Sequence, residues 1–285
     1  MWNVATAPAI GVAYSGYVPG YVDGCPGEVD YVEVPFELLR HDPEVATLGT
    51  RIPIVLHCAS LSIAGTSLCS PDTLGQVNQW AKSTGTPWIG EHLAFITADR
   101  DQAGSSAEPV APGEPYNIGY TVSPPMNAKT AARAAKHLRH YCPQFDVPVL
   151  IENSPLYFQI PASNMKQSEF MSNILGECEA GLLLDLAHLL ISAETMGFDA
   201  ETELEKYPLE KLVEVHVSGV DHQDDGVWDD HAGRAPDLVY RLLEQTLRRA
   251  CPRAVTLEYN WSVRFPQSVL REEIARVRET CAVCA

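Results

Sequence analysis

The stretch GLLLDLAHLLIS (Gly181–Ser192) is apolar at nearly every position, yet Asp185 and His188 sit in its middle. Its first half reads as a short strand with no polar alternation, the pattern of a strand buried on both faces in a parallel sheet. Its second half continues directly into an apolar helix-like segment. An ionised carboxylate at such a junction is costly unless something pairs with it. The fold therefore has to supply a partner for Asp185 and His188.

Seven other runs share the first half's character. They are AIGVAY near residue 10, VDYVEV ending near Val34, IPIVLH ending at His57, PWIGEH ending at His92, VPVLIEN ending at Asn153, LVEVHV ending at Val217 and AVTLEY ending at Tyr259. Helix-like segments with apolar residues at three- and four-residue spacing lie between most of them. One of these opens with Ser70–Pro71, a cap followed by a first-turn proline, and closes at Gly85. Eight strand–helix alternations predict an α/β chain folded as a (β/α)8 TIM barrel, in one domain over 1–285. SGYVPGYVDGCPGE is too rich in Gly and Pro to predict a good first helix. The segment from Thr97 to Pro125 reads as a mobile loop, and 281–285 as a short C-terminal tail.

Composition narrows the partners. The 285 residues carry 20 Lys and Arg against 37 Asp and Glu, a formal charge of −17. Nucleic-acid backbones are held by displacing counterions with cationic side chains, so this balance argues against that ligand. No apolar run approaches the ~18–20 residues of a membrane helix. The first cationic side chain is Arg40, so no basic signal-peptide region opens the chain. The expected setting is cytoplasmic, without membrane contact. Eight scattered cysteines read as free thiols. The terminal CxxC (Cys281, Cys284) has no second pair or nearby histidine to complete a zinc site.

The strand ends carry the chemistry. His57 ends the third strand, His92 the fourth, Glu152 the fifth and Asp185 the sixth, with His188 three residues on. His216 ends the seventh and Glu258 the eighth, while Asp229 and His231 follow the seventh in DDGVWDDHAG. Taken singly, Asp185 reads as a helix N-cap, His188 as a hydrogen-bonded core histidine, and Asp229 and His231 as solvated loop residues. In a barrel, however, all C-terminal strand ends meet at one mouth. Five histidines and four carboxylates converging there suit zinc, iron or manganese. Nine donors exceed one ion's coordination, whereas two or three carboxylate-bridged ions would use them all. His41, His137, His140 and His222 lie outside the set, the last in a polar loop.

The segments VEVPFELL, PIVLHCASLSIAG, GEHLAF, VLIENSPLYF, MKQSEFMSNIL, GLLLDLAHLLISAETMGFDA, VEVHVSGV and TLEYNW resemble, in order and spacing, the multinuclear non-haem iron-dependent oxidative enzymes, the family of the methanobactin biosynthesis oxidase. The likeness runs from about Gly11 to Trp261, and the nine polar residues are similar to the trinuclear pattern of xylose-isomerase-like barrels. It implies two or three irons of mixed Fe(II)/Fe(III) state held by His57, His92, Glu152, Asp185, His188, His216, Asp229, His231 and Glu258, with O2 as co-substrate. The implied activity is oxidation of a cysteine in a ribosomally made precursor peptide, aided by a separate partner that binds the leader peptide. Asn153 matches a family Asn expected to touch substrate or support the ligands, and Glu33 a glutamate without assigned role. The chain departs from the family at DLAH, where many members have Asp-Val-Asn-Asn, so that His188 replaces an Asn. It departs again at Cys58, for Gly, and at SGV after His216. A zinc phosphodiesterase similar to endonuclease IV and a sugar isomerase remain alternatives on the same barrel.

Overall fold

The computed structural model describes residues 7–98, 116–224 and 226–284. The elements in chain order are β1 (Ala9–Ala13), α1 (Val18–Gly24), β2 (Tyr31–Pro35), α2 (Phe36–His41), β3 (Ile54–Cys58), α3 (Pro71–Thr84), β4 (Ile89–His92), β5 (Phe95–Ala98) and β6 (Tyr116–Val122). There follow α4 (Ala128–Tyr141), β7 (Val149–Glu152), α5 (Gln167–Leu175), β8 (Gly181–Asp185), α6 (Leu186–Met196), α7 (Ala200–Leu204), β9 (Leu212–Val217), β10 (Asp221–Gln223), β11 (Gly226–Trp228), α8 (Asp237–Leu247), β12 (Ala254–Leu257) and α9 (Gln267–Cys281). Eight of the strands close into a parallel barrel in the order β1-β12-β9-β8-β7-β4-β3-β2. They are the eight apolar runs read from the sequence. Among the described residues no helix is long and apolar enough to cross a membrane.

Side chains alternate across each strand, which divides the core in two. Outward residues such as Val12, Val34, Leu56, Ile151, Leu184, Val215 and Leu257 join the large cluster between sheet and helices. Inward residues form a small plug of Tyr31, Val55, Trp88, Leu150, Leu183 and Ala254. Above this plug the same inward parity continues through Glu33, His57, Glu152, Asp185 and His216 to the barrel mouth. One consequence is visible at Gly90 in β4. A Cβ there would lie 2.5 Å from His57 Nδ1, so only glycine leaves room for that ring.

Local signals work as physical chemistry requires. Ser70 Oγ accepts from Thr73 N at 3.0 Å, and Gly85 ends α3 with φ +65°. Four expectations need correction. SGYVPGYVDGCPGE does form a helix, α1, because Pro19 falls in its first turn, where no N–H is needed, and Val18, Tyr21 and Val22 are buried. Much of the described part of the Thr97–Pro125 segment is strand: β5 reaches Ala98 and pairs antiparallel with β6 (Tyr116–Val122), while residues 99–115 of the expected mobile loop lie outside the described residues. Cys281 is the buried end of α9 and Ala282–Cys284 make a 3-10 turn, so 281–284 is not a loose tail, while residue 285 lies outside the described residues. His222 belongs to the β10–β11 ribbon rather than a loop, with Nε2 3.0 Å from Glu194.

Candidate metal centre

The strand–helix junction at Asp185 shows how one residue serves two ends. Asp185 is the N-cap of α6: Oδ1 accepts from His188 N at 2.5 Å. Oδ2 makes no hydrogen bond although it is buried, and lies 3.9 Å from both His188 Nε2 and His216 Nδ1. Helix cap and candidate ligand are thus the same carboxylate.

Glu152 stands at the centre. Oε2 lies 2.6 Å from His92 Nδ1 and 3.3 Å from His57 Nε2, while Oε1 faces His216 Nδ1 at 3.3 Å and His188 Nδ1 at 3.6 Å. His57 and His92 approach to 3.1 Å through their Nε2 atoms. Asp229 spans two histidines, with Oδ2 3.0 Å from His188 Nε2 and Oδ1 2.9 Å from His231 Nε2. Glu258 spans His231 at 3.3 Å and His216 at 3.5 Å. His231 holds a left-handed φ of +54°, the kind of conformation that surrounding structure must enforce. All nine candidates from the sequence therefore meet at one mouth. His57, His92, His188, Asp229, His231 and Glu258 line a cavity of about 440 Å3 there, joined by Glu33, Ser15 and Asn260.

The donor set fits metal ions. Seven buried atoms here have no hydrogen-bond partner: His57 Nδ1, both Glu152 oxygens, Asp185 Oδ2, His216 Nδ1, His231 Nε2 and Glu258 Oε2. Orphaned buried polar atoms are rare and call for an explanation. Two ligands about 2.1 Å from one ion stand about 3.0–3.4 Å apart, close to most of the separations above. The atoms fall into overlapping groups of three, among them His57–His92–Glu152, Glu152–Asp185–His188, Asp185–His216–Glu258 and Asp229–His231–Glu258, each within 4.8 Å.

Without cations the centre holds protons instead. Burial lowers the His57 pKa, but Glu33 and Glu152 outweigh it and raise it to about 9. His231 is likewise raised to about 10, Glu258 and Asp229 overcoming its desolvation. Burial drives Asp185 well above its ordinary value against the pull of His188, and the neighbouring carboxylates add to that. Glu152 goes the other way: desolvation is overcome by His92, His216 and His57, which hold it well below the usual carboxylate range.

Two residues around the donors settle their ring orientations. Asn153 is buried, and its carboxamide pairs with the β8 backbone: Nδ2 donates to Asp185 O at 2.9 Å and Oδ1 accepts from Asp185 N at 2.8 Å. Of the two roles expected for Asn153, these contacts are those of a residue that supports the ligands. Its backbone carbonyl lies 2.7 Å from His188 Nδ1, which leaves Nε2 to face Asp229. Glu33, whose role the sequence left open, lies 3.1 Å from His216 Nε2 and 3.7 Å from His57 Nδ1. It stands behind two histidines whose other nitrogens face Glu152. Sequence reasoning missed Glu214. It sits one inward step below His216 in β9 and is held by Trp88 Nε1 at 2.6 Å, Thr256 Oγ1 at 2.6 Å and Tyr31 OH at 3.2 Å. Burial raises it to about 7. The signal was its parity with His216 in LVEVHV.

A family model described as RiPP precursor modification enzyme MbnB/TglH/ChrH matches residues 21–282. A UPF0276 protein of Streptomyces avermitilis is 27% identical over 276 residues, 95% of this chain, but the chain spans only 54% of that relative's length. A UPF0276 protein of Acaryochloris marina is 26% identical over 76% of this chain and 73% of its own. Among solved structures, D-psicose 3-epimerase of Clostridium cellulolyticum H10 superposes with a TM-score of 0.59 at 11% identity, covering 97% of this chain and 99% of that one. Endonuclease IV of Thermus thermophilus gives 0.57 at 14%, covering 95% and 100%. The likeness to these solved structures shows the (β/α)8 barrel fold and nothing of the reaction.

Proposed function

This chain belongs to the RiPP precursor modification enzyme MbnB/TglH/ChrH family, whose substrates are ribosomally synthesised peptides, and on that premise we propose that it is a multinuclear non-haem iron enzyme using O2 to oxidise a cysteine of such a peptide. The observation that carries the reading is the set of orphaned donors: besides His57 Nδ1, which faces Glu33, six buried atoms from five residues on five different strands or loops gather at one barrel mouth. Iron bound there would supply one-electron redox chemistry and a Lewis-acid site for a thiolate.

The chain's own residues do the positioning. His57, His92 and Glu152 would hold one ion, and Asp185, His188, His216, Asp229, His231 and Glu258 one or two more. The two oxygens of Glu152 face different histidine pairs, and those of Asp229 face different histidines, so each carboxylate suits a bridge between neighbouring ions. Glu33 and the Asn153 carbonyl occupy the rear nitrogens of His216 and His188, which keeps a lone pair of each ring turned inward. A separate leader-binding protein belongs to the same proposal. The test is iron-loaded protein, O2 and a Cys-containing precursor peptide encoded beside the gene, read by mass spectrometry with and without the neighbouring gene product. An oxidative mass change at cysteine supports the reading. Iron-loaded protein that leaves the peptide unchanged, while a zinc-loaded sample cleaves abasic DNA, would replace it with the phosphodiesterase.

A further inference from the structure

A second cavity, of about 680 Å3, opens beside the first and shares His92, His188 and Asp229 with it. Away from those three residues its walls are mostly apolar: Phe95, Leu156, Ile160 and the rings of Tyr120, Tyr157 and Phe158. Tyr120 and Phe158 are 67% and 65% exposed and line the same wall, and a contiguous exposed apolar patch marks an interaction site. Tyr157 stacks on Trp228 at 5.0 Å between centroids, fixing the wall next to Asp229. Among the described residues that line the groove, none is Lys or Arg, and the acidic and imidazole groups are confined to its inner end.

We propose that this groove is a side-chain subsite for a bulky apolar residue flanking the cysteine to be modified, an inference that rests on the peptide-modifying reading of the metal centre. Three observations commit it to that occupant. The groove runs straight onto candidate donors, so a thiol placed at His92 and His188 sets its chain neighbours, about 3.8 Å away per residue, over the aromatic wall. Among the described lining residues there is no Lys or Arg to pair with an acidic side chain. Its volume falls in the range of sites that enclose a ligand, about 300–1,000 Å3, and aromatic residues are enriched where proteins bind other chains.

The experiment uses the full chain, zinc-loaded under nitrogen so that binding is read without turnover. The probes are fluorescein-labelled pentapeptides, Gly-Phe-Cys-Phe-Gly against Gly-Asp-Cys-Asp-Gly and Gly-Gly-Cys-Gly-Gly, measured by fluorescence polarisation. The Phe peptide binds at least tenfold tighter than the Asp peptide. Phe158→Ser and Tyr120→Ser, both at exposed positions, each cut that preference at least threefold, whereas Val263→Ser, on an exposed apolar residue outside the groove, leaves it intact. Equal affinity for the three peptides, or a preference untouched by both groove variants, overturns the proposal. Preference without any oxidation by iron-loaded protein would sink the enzymatic reading and leave the groove standing, while oxidation without preference would remove the groove alone.

Discussion

Replacing Asp185 by Asn and by Ala separates the two duties of one carboxylate. Asn keeps an oxygen at the Oδ1 position, where it still accepts from His188 N, but puts an amide N–H where the orphaned Oδ2 faces His188 and His216. Ala removes both. In metal-free protein the cap difference is about 1 kcal/mol, so Asp185→Ala melts about 2 °C below Asp185→Asn for a chain of this size. Asp185→Asn itself melts at or above the wild type, because a carboxyl pushed up by burial and by Glu258, Asp229 and Glu152 has been neutralised. With metal the order changes. At about 100 times its dissociation constant a bound ion stabilises the fold by about 2.7 kcal/mol, and a hundredfold weaker site retains only about 0.4 kcal/mol. Even outer partners of metal ligands typically contribute 10–100-fold in affinity, so loss of a direct donor should reach that mark. Differential scanning fluorimetry with and without Fe(II), under nitrogen, reads both effects. A wild-type metal-dependent rise in Asp185→Asn would refute the assignment of Oδ2 as a donor, and identical metal-free melting of the two variants would refute the cap.

Three further outcomes follow from the same geometry. Glu33→Gln leaves the fold intact but unlocks the His216 ring, so metal content per chain drops and the affinity of what remains falls about tenfold or more; unchanged stoichiometry by elemental analysis would assign Glu33 no positioning role. Gly90→Ala places a methyl 2.5 Å from His57 Nδ1 and 3.0 Å from Leu183 Cδ1, costing about 1–3 kcal/mol of overpacking and weakening the ion beside His57 and His92; a variant with wild-type melting and metal content contradicts this. In metal-free protein the folded pKa values of His57 and His231 are raised from 6.5 to about 9 and about 10, so their contribution to stability is complete below pH 6.5 and is lost as pH rises through those values. Metal loading near pH 7 must then release protons, detectable with a pH indicator in unbuffered solution, and affinity must climb towards pH 9; loading without proton release would refute the protonated metal-free centre.

Much of this was legible because a parallel barrel writes its topology in local signals. Near-continuous apolar runs marked the eight strands, and the polar residue ending most of those runs marked the mouth. What the runs do not encode is which parity faces inward. That is why Glu214, polar and buried two residues before His216, escaped notice, and why the sequence left the role of Asn153 open between substrate and ligand support. Its pairing with the Asp185 backbone depends on β7 lying beside β8. The helix α1 was hidden for a different reason: Gly and Pro lower helix propensity, but burial of Tyr21 and Val22 against the barrel overrides it. The β5–β6 ribbon was hidden because its pairing spans a segment with no turn signal of hairpin length.

The most direct measurement is anomalous diffraction from crystals of iron-replete protein, with data on both sides of the iron K edge. The account predicts two or three iron peaks at the barrel mouth, within bonding distance of Glu152, Asp185, His216, Asp229 and Glu258. Iron-replete crystals with no anomalous peak there, and with the same donor atoms still lacking partners, would contradict it.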